Sequence, residues 1–185
     1  MSYEVYARLT REIEYLAQLQ ATESERSNVL SVGCFLEDLL RDILFRFEST
    51  PKVAPVELKD GRRPPRNTFA WRILEARERQ LLPENVLVDV DTIREIRNIF
   101  AHSLGARGLN AAARAQCDRL VLPDNAGEPR EASLDDRARH RFNAAARLAI
   151  QACISRIFQD EDEYRHIASE RREREAARDR GAGAE

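Results

Sequence analysis

An arginine, an asparagine and a histidine near the end of one predicted helix are residue types that could together cleave RNA without a metal ion. They are Arg97, Asn98 and His102, within the segment 91–102. A histidine can act on the 2′-hydroxyl or on the leaving 5′-oxygen of RNA as general base or acid. An arginine can hold the scissile phosphate and stabilise the extra charge of its transition state. Asn98 can orient the imidazole or donate to the phosphate.

Helical spacing places Asn98 and His102 on one face, since each residue turns by about 100°. Arg97 and His102 are then about 140° apart on an ideal helix. They converge only if the helix loosens near His102, if the Arg97 side chain curls round, or if a second copy of the chain completes the site. Gly105 favours early loosening, and a two-fold dimer would bring two motifs together.

A structural interpretation of the same residues remains open. In it, Arg97 pairs with an acidic neighbour and His102 caps the C-terminus of the helix, where a positive charge is favoured. Asn98 then forms a hydrogen bond across the protein. The acidic neighbours considered for Arg97 are Glu37, Asp38 and Glu95.

Basic charge is concentrated in the middle of the chain. The 185 residues carry a net charge of −2, but residues 1–60 sum to −4, residues 61–147 to +4 and residues 148–185 to −2. A locally basic surface binds phosphate even when the whole chain is acidic. The opposing explanation is a GC-rich coding sequence, because lysine occurs only at 52 and 59. The candidate contacts to nucleic acid or a partner are Arg62, Arg63, Arg66 and Arg94.

Composition excludes several classes of protein. A pI of about 6.0 excludes a strongly basic nucleic-acid coat protein. A mean hydropathy of −0.56 and the lack of an apolar run of 18 residues exclude a membrane span. The charged first twenty residues exclude a secretory signal. Three dispersed cysteines (34, 117 and 153) and three dispersed histidines predict reduced thiols in a cytoplasmic protein, with no metal or cofactor site.

Apolar residues recur at three- and four-residue spacing almost throughout, which predicts an all-α fold. We expect one domain over residues 1–158, with long second and last helices. The predicted caps are Thr22 with Glu25, then Asn67, then Asp89 or Asp91, and finally Ser133 with Asp136. The predicted helices span about 3–20, 22–47, 68–82, 91–104 and 110–121, and run from 133 past 158.

Two segments depart from this pattern. Residues 49–66 contain four prolines, which forbid a continuous helix. A loop of this length is either functional or mobile, and a tolerated surface insertion is the alternative. Residues 159–185 are highly charged and predict a solvated helical extension that frays into a flexible tail. An interaction tail is the other interpretation.

The Arg–Asn–His motif resembles the signature of the HEPN superfamily of all-α domains, in which an arginine and a polar residue precede a histidine. Residues 93–102 look more closely like the matching segment of the mannitol-operon repressor (MltR-like) family. The resemblance covers about residues 28–158, and only the Arg–His segment is distinctive. It includes Phe35-Leu36-Glu37-Asp38-Leu39-Leu40, Trp71-Arg72-Ile73, Cys117-x-x-Leu120 and Asp136-Arg137-x-x-x-Arg141-Phe142. The chain departs in its longer proline-rich loop and its charged tail.

The resemblance implies an antiparallel bundle of about five to six helices that forms a homodimer. Many HEPN proteins are metal-independent endoribonucleases of toxin–antitoxin, defence or RNA-processing systems. For such an enzyme Arg97, Asn98 and His102 are the expected catalytic residues, with Glu37 or Asp38 as acidic support, RNA as substrate and an antitoxin as partner. The MltR-like branch implies a non-catalytic transcriptional regulator acting through protein partners, since the sequence shows no convincing helix-turn-helix.

Overall fold

The structure is a computed structural model, and it describes residues 11, 14, 18, 24–53, 61–103, 108–121 and 132–182, with side chains up to 158. These ranges contain helices and no strand, which confirms the predicted all-α bundle. None of these helices is long and apolar enough to cross a bilayer. The five helices are α1 (Glu25–Arg46), α2 (Phe69–Glu78), α3 (Glu84–His102), α4 (Ala111–Cys117) and α5 (Leu134–Ala182).

The N-terminal part of the chain differs from the prediction where α1 begins. The expected helix over 3–20 lies outside the described residues, apart from helical positions 11, 14 and 18. Ser24 caps α1 and accepts a hydrogen bond from the Ser27 N–H, so a start at Thr22 is wrong. Glu25 does not complete a capping box, because its carboxylate accepts the Leu109 N–H at 2.7 Å.

The predicted starts of α2 and α3 are also wrong. Thr68 caps α2 by accepting the Trp71 N–H, because Asn67 adopts a left-handed conformation with φ of 64°. The helix ends at Glu78, before a second left-handed residue. α3 begins at Glu84, directly after Pro83, which lies in the cap position without a side-chain cap. Asp89 is instead buried within α3, where it accepts the Val121 N–H at 2.7 Å.

The last two helices begin close to where the sequence predicted, and α5 has its predicted cap. Asn110 accepts the Ala113 N–H at the start of α4, which ends at Cys117, earlier than predicted. Ser133 and Asp136 cap α5 as predicted, in a weaker form of the capping box: the Asp136 N–H donates to the Ser133 hydroxyl oxygen, and the Ser133 hydroxyl, in place of its backbone N–H, donates to the Asp136 carboxylate. α5 then continues to Ala182, so the charged segment is helical that far. The domain boundary at 158 stays a prediction.

Three helices form the centre of the bundle. α1, α3 and α5 each pack against the other two, while α2 covers α1 and α3, and α4 covers α3 and α5. Burial of apolar surface in such a core supplies about 25 cal/mol per Å². Every helix contributes to this core, for example through Leu36, Leu40, Ile73, Ile93, Ile96, Phe100, Ala113, Phe142 and Ile157.

α1 and α3 run in opposite directions. Arg26, near the start of α1, donates to the backbone carbonyl oxygen of Ser103, which follows α3. Further along α1, Glu37 meets Arg97, which is earlier in α3. This arrangement places the middle of α1 beside the last turns of α3, where the predicted chemical motif lies.

The described ends of the proline-rich segment are attached to α2. Lys52 donates to the buried carboxylates of Glu75 and Glu78 at 2.6 and 2.7 Å. Arg63 donates to Glu78 at 2.6 Å and to Glu75 at 3.3 Å. Residues 54–60, between these two cations, lie outside the described residues. The described ends of the segment are therefore both attached to α2 by ion pairs to buried acids. We call Lys52, Arg63, Glu75 and Glu78 the α2 clasp.

These ion pairs shift the pKa values of side chains in the α2 clasp. Burial alone would raise the pKa of Glu78, but hydrogen bonds from Arg63 and Lys52 outweigh it and hold that pKa below its usual value. The hydrogen bonds to Glu75 and Glu78 raise the pKa of Lys52. A carboxyl with a lowered pKa in the folded state stabilises the fold above its unfolded pKa, and the stabilisation is lost as the pH falls through the folded pKa.

We expect Glu78→Gln to lower the free energy of unfolding near neutral pH and to have little effect in acid. The reason is that wild type loses the Glu78 contribution as the pH falls from about 4.3 through the folded pKa. Urea unfolding from about pH 7 to about pH 3 measures the difference. The matched control is Glu48→Gln, at an exposed glutamate, which should follow wild type. A difference between Glu78→Gln and wild type that stays constant over this range would contradict the clasp.

Candidate functional site

The Arg97 side chain lies across α1 at Gly33. Gly33 is buried, and a Cβ added there would be 2.8 Å from Cγ and 3.1 Å from Cβ of Arg97. Only a residue without a side chain leaves room for the aliphatic part of Arg97 at this distance. The sequence analysis missed Gly33, although an isolated glycine within an apolar helical pattern indicates the close approach of a neighbour.

Glu37 is shared by two arginines from different helices. Its Oε1 accepts a hydrogen bond from Arg72 of α2, while its Oε2 is 3.8 Å from Nη2 of Arg97. The Arg97 guanidinium also lies 3.9 Å from the Sγ of Cys34, an exposed free thiol. Arg72 is therefore the stronger partner of Glu37, and the three charged groups sum to +1. Arg97 remains 28% exposed and keeps capacity for a further anion.

Asn98 and His102 occupy the more open side of α3. His102 is exposed and Asn98 is half-buried, and neither side chain forms a hydrogen bond with the part of the chain that is described. α3 stays helical to His102, so the expected loosening does not bring His102 towards Arg97. Arg97 extends over α1 and does not curl round α3. Within one chain, Arg97 therefore lies on one side of α3, and Asn98 and His102 lie on another.

Arg26 adds a second cation to the seam between α1 and α3. Its guanidinium donates to the Ser103 carbonyl oxygen, directly after His102, and so satisfies a backbone acceptor at the end of α3. Sequence reasoning did not single out Arg26, because the pair is 77 residues apart along the chain. The contact fixes the position of the helix end that carries His102.

The other predicted site residues are exposed or form ion pairs elsewhere in the structure. Asp38 is exposed and pairs with Arg41 at 2.9 Å, so of the two acidic candidates only Glu37 is brought to Arg97. Arg94 pairs with Asp91 at 2.7 Å. Arg62 and Arg66 are exposed and make no ion pair with the described residues, whereas Arg63 belongs to the α2 clasp.

The three cysteines differ in their surroundings. Cys117 and Cys153 are buried and free, and burial raises the pKa of each thiol to about 12. Thiols with so high a pKa are protonated at neutral pH and are weak nucleophiles. Cys34 is the exposed cysteine, and its position next to Arg97 makes it part of the site surface.

Neither a metal cluster nor a known relative identifies the site further. Within the described ranges, no group of three His, Cys, Asp or Glu side chains could hold a metal ion. No family model, functionally described protein or solved structure matches the chain. The chemistry of the site must therefore be inferred from its own residues.

We expect Gly33→Ala to displace Arg97 and to destabilise the fold by about 1–3 kcal/mol through overpacking. An alanine in a helix is otherwise more stable than glycine by about 0.5–1 kcal/mol. In an Arg97→Ala background Cγ and Cδ are absent and only the contact with Cβ at 3.1 Å remains, so the same substitution should be less destabilising. Urea unfolding of both single variants and the double variant measures the coupling. Equal effects of Gly33→Ala in both backgrounds would contradict the contact.

Proposed function

We propose that the protein is a HEPN-like, metal-independent endoribonuclease that acts as a homodimer in a toxin–antitoxin, defence or stress system. The observation that carries this proposal is the position of the Arg97 side chain and the incomplete neutralisation of its charge. Its stem is fixed over Gly33, while its guanidinium reaches the surface beside a carboxylate already engaged by Arg72. A held but incompletely neutralised guanidinium suits a phosphate that gains charge in its transition state.

His102 supplies the proton transfer in this proposal. Its imidazole is exposed at the end of α3, with no hydrogen bond to the described residues that would occupy it. The imidazole takes the proton of the RNA 2′-hydroxyl, and the 2′-oxygen attacks phosphorus as the bond to the 5′-oxygen breaks. The leaving 5′-oxygen takes up a proton from water and the imidazolium returns its proton to water, so the products are a 2′,3′-cyclic phosphate and a 5′-hydroxyl.

A second copy of the chain completes the site. On one α3, Arg97 faces α1 while Asn98 and His102 face the open side. A two-fold axis beside the end of α3 would place His102 of one copy opposite Arg97 of the other. Asn98, on the same face as His102, would then orient the imidazole or donate to the phosphate.

A non-catalytic regulator is the competing function, and one observation favours it. Arg97 contributes to a network in which Glu37 connects α3 with α1 and α2. A residue with this position can be retained for folding alone. In that case the protein is an MltR-like transcriptional regulator that acts through protein partners, and His102 has no role in RNA chemistry.

We expect the purified protein to cleave RNA in EDTA and His102→Ala to lower the rate by about 10²–10⁴-fold, the usual contribution of a general acid or base. His102 is exposed at a helix end, so the variant should keep the stability of wild type. The control is His140→Ala on α5, which should cleave like wild type. Cleavage is measured on varied RNAs at high protein concentration.

Two results would contradict the nuclease. One is equal cleavage by wild type and His102→Ala, which would indicate a contaminating enzyme. The other is no cleavage of any RNA, together with loss of stability in Arg97→Ala. That second outcome would favour the regulator, because it assigns Arg97 to folding alone.

A further inference from the structure

A cavity of about 710 Å³ lies between the C-terminal half of α1 and one side of α2, from Trp71 to Arg79. Leu44 and Phe45 of α1 and Trp71 of α2 line it, together with several charged side chains. Its volume is in the range of small-molecule sites. No residue of the Arg97–His102 motif lines the cavity, and Arg72, which does, is connected to Arg97 only through Glu37.

Two aromatic side chains give the cavity an accessible apolar surface. Phe45 is 81% exposed, although it belongs to a helix whose other face is in the core. Trp71, the single tryptophan of the chain, is half-buried. Aromatic side chains with exposed area at a cavity offer a planar surface that another ring can cover.

The cations around the cavity differ in whether they are already paired. Arg66 lines the cavity, is exposed and makes no ion pair with any residue that the structure describes. The remaining basic side chains of the lining have carboxylate partners. These pairs are Arg41 with Asp38, Lys52 with Glu75 and Glu78, Arg72 with Glu37, and Arg79 with Glu75. Among the described residues, the lining therefore contains one guanidinium without an ion pair, that of Arg66, and one carboxylate without an ion pair, that of Glu48.

The backbone around Arg66 is held in a tight turn. Asn67 has φ of 64°, and the Thr68 hydroxyl donates to the Pro65 carbonyl oxygen at 2.7 Å. The same Thr68 side chain caps α2. This turn fixes the base of the Arg66 side chain beside the cavity, which reduces the ordering that a ligand must impose.

We propose that this cavity binds an aromatic carboxylate, with its ring against Phe45 and Trp71 and its carboxylate on Arg66. A planar guanidinium matches a carboxylate through two parallel hydrogen bonds. The Arg66 guanidinium can pair with one carboxylate, and the negative charge of Glu48 in the same lining disfavours a more highly charged anion. A phosphate monoester carries about −1.5 to −2 charges at neutral pH and would need a second unpaired cation.

Trp71 provides a direct readout, because all tryptophan fluorescence of the protein comes from this cavity. Titration of the full chain with phenylacetate should give a saturable fluorescence change. The uncharged analogue phenylacetamide and the more highly charged phenyl phosphate should bind more weakly. Arg66→Gln should weaken phenylacetate binding by about tenfold or more, because it removes hydrogen bonds between a charged donor and a charged acceptor.

Arg62→Gln is the matched control, because Arg62 is an exposed arginine of the same stretch that does not line the cavity. It should bind phenylacetate like wild type. Both arginines are exposed, so circular dichroism should show the same fold in both variants.

Three results would overturn the proposal: no saturable fluorescence change with phenylacetate, equal affinity for phenylacetamide, or no effect of Arg66→Gln on the affinity. Tighter binding of phenyl phosphate would overturn the assignment of a monoanion. None of these outcomes depends on RNA cleavage, so the binding proposal and the nuclease proposal can fail separately.

Discussion

The contact between Arg97 and Gly33 determines how the motif of α3 meets α1. Because a Cβ at position 33 would approach Arg97 Cγ to 2.8 Å, the crossing depends on a glycine inside a core helix. The contact directs the arginine towards Glu37 and away from the face that carries His102. The separation of the two chemical groups within one chain follows from this packing, and so does the need for a second copy if they act together.

Sharing of carboxylates is the second feature that shapes the charged surface. Glu37 lies between Arg72 and Arg97, and the buried Glu75 and Glu78 are each held by more than one cation. Around Glu37, and around Glu75 and Glu78, there are more basic side chains than acidic ones, and most of the basic side chains are arginines. At α2 these cations attach the described ends of the proline-rich segment to buried carboxylates, whose charge requires such partners. Beside α1 the excess leaves Arg97 with residual positive charge.

Local signals in the sequence predicted the fold class and one cap in detail, but not the tertiary contacts. Ser133 opens α5 as expected because a capping box needs only neighbouring residues. Asn67 and Asp89 are equally good capping residues, yet one adopts a left-handed turn and the other binds a backbone N–H 32 residues away. The shared face of Asn98 and His102 follows from helix geometry. The direction of Arg97 does not, because it depends on which helix crosses α3.

In the proposed dimer, Arg97 of one copy and His102 of the other form one nuclease site. Mixing Arg97→Ala with His102→Ala protein under conditions that allow subunit exchange tests whether the two copies share a site. In a mixed dimer, one site keeps both intact residues and the other lacks both. We predict that each variant alone is inactive and that the mixture regains about a quarter of the wild-type cleavage rate, because about half of the dimers are mixed and each has one of two sites. A mixture as inactive as its components, beside an active wild type, would contradict the claim.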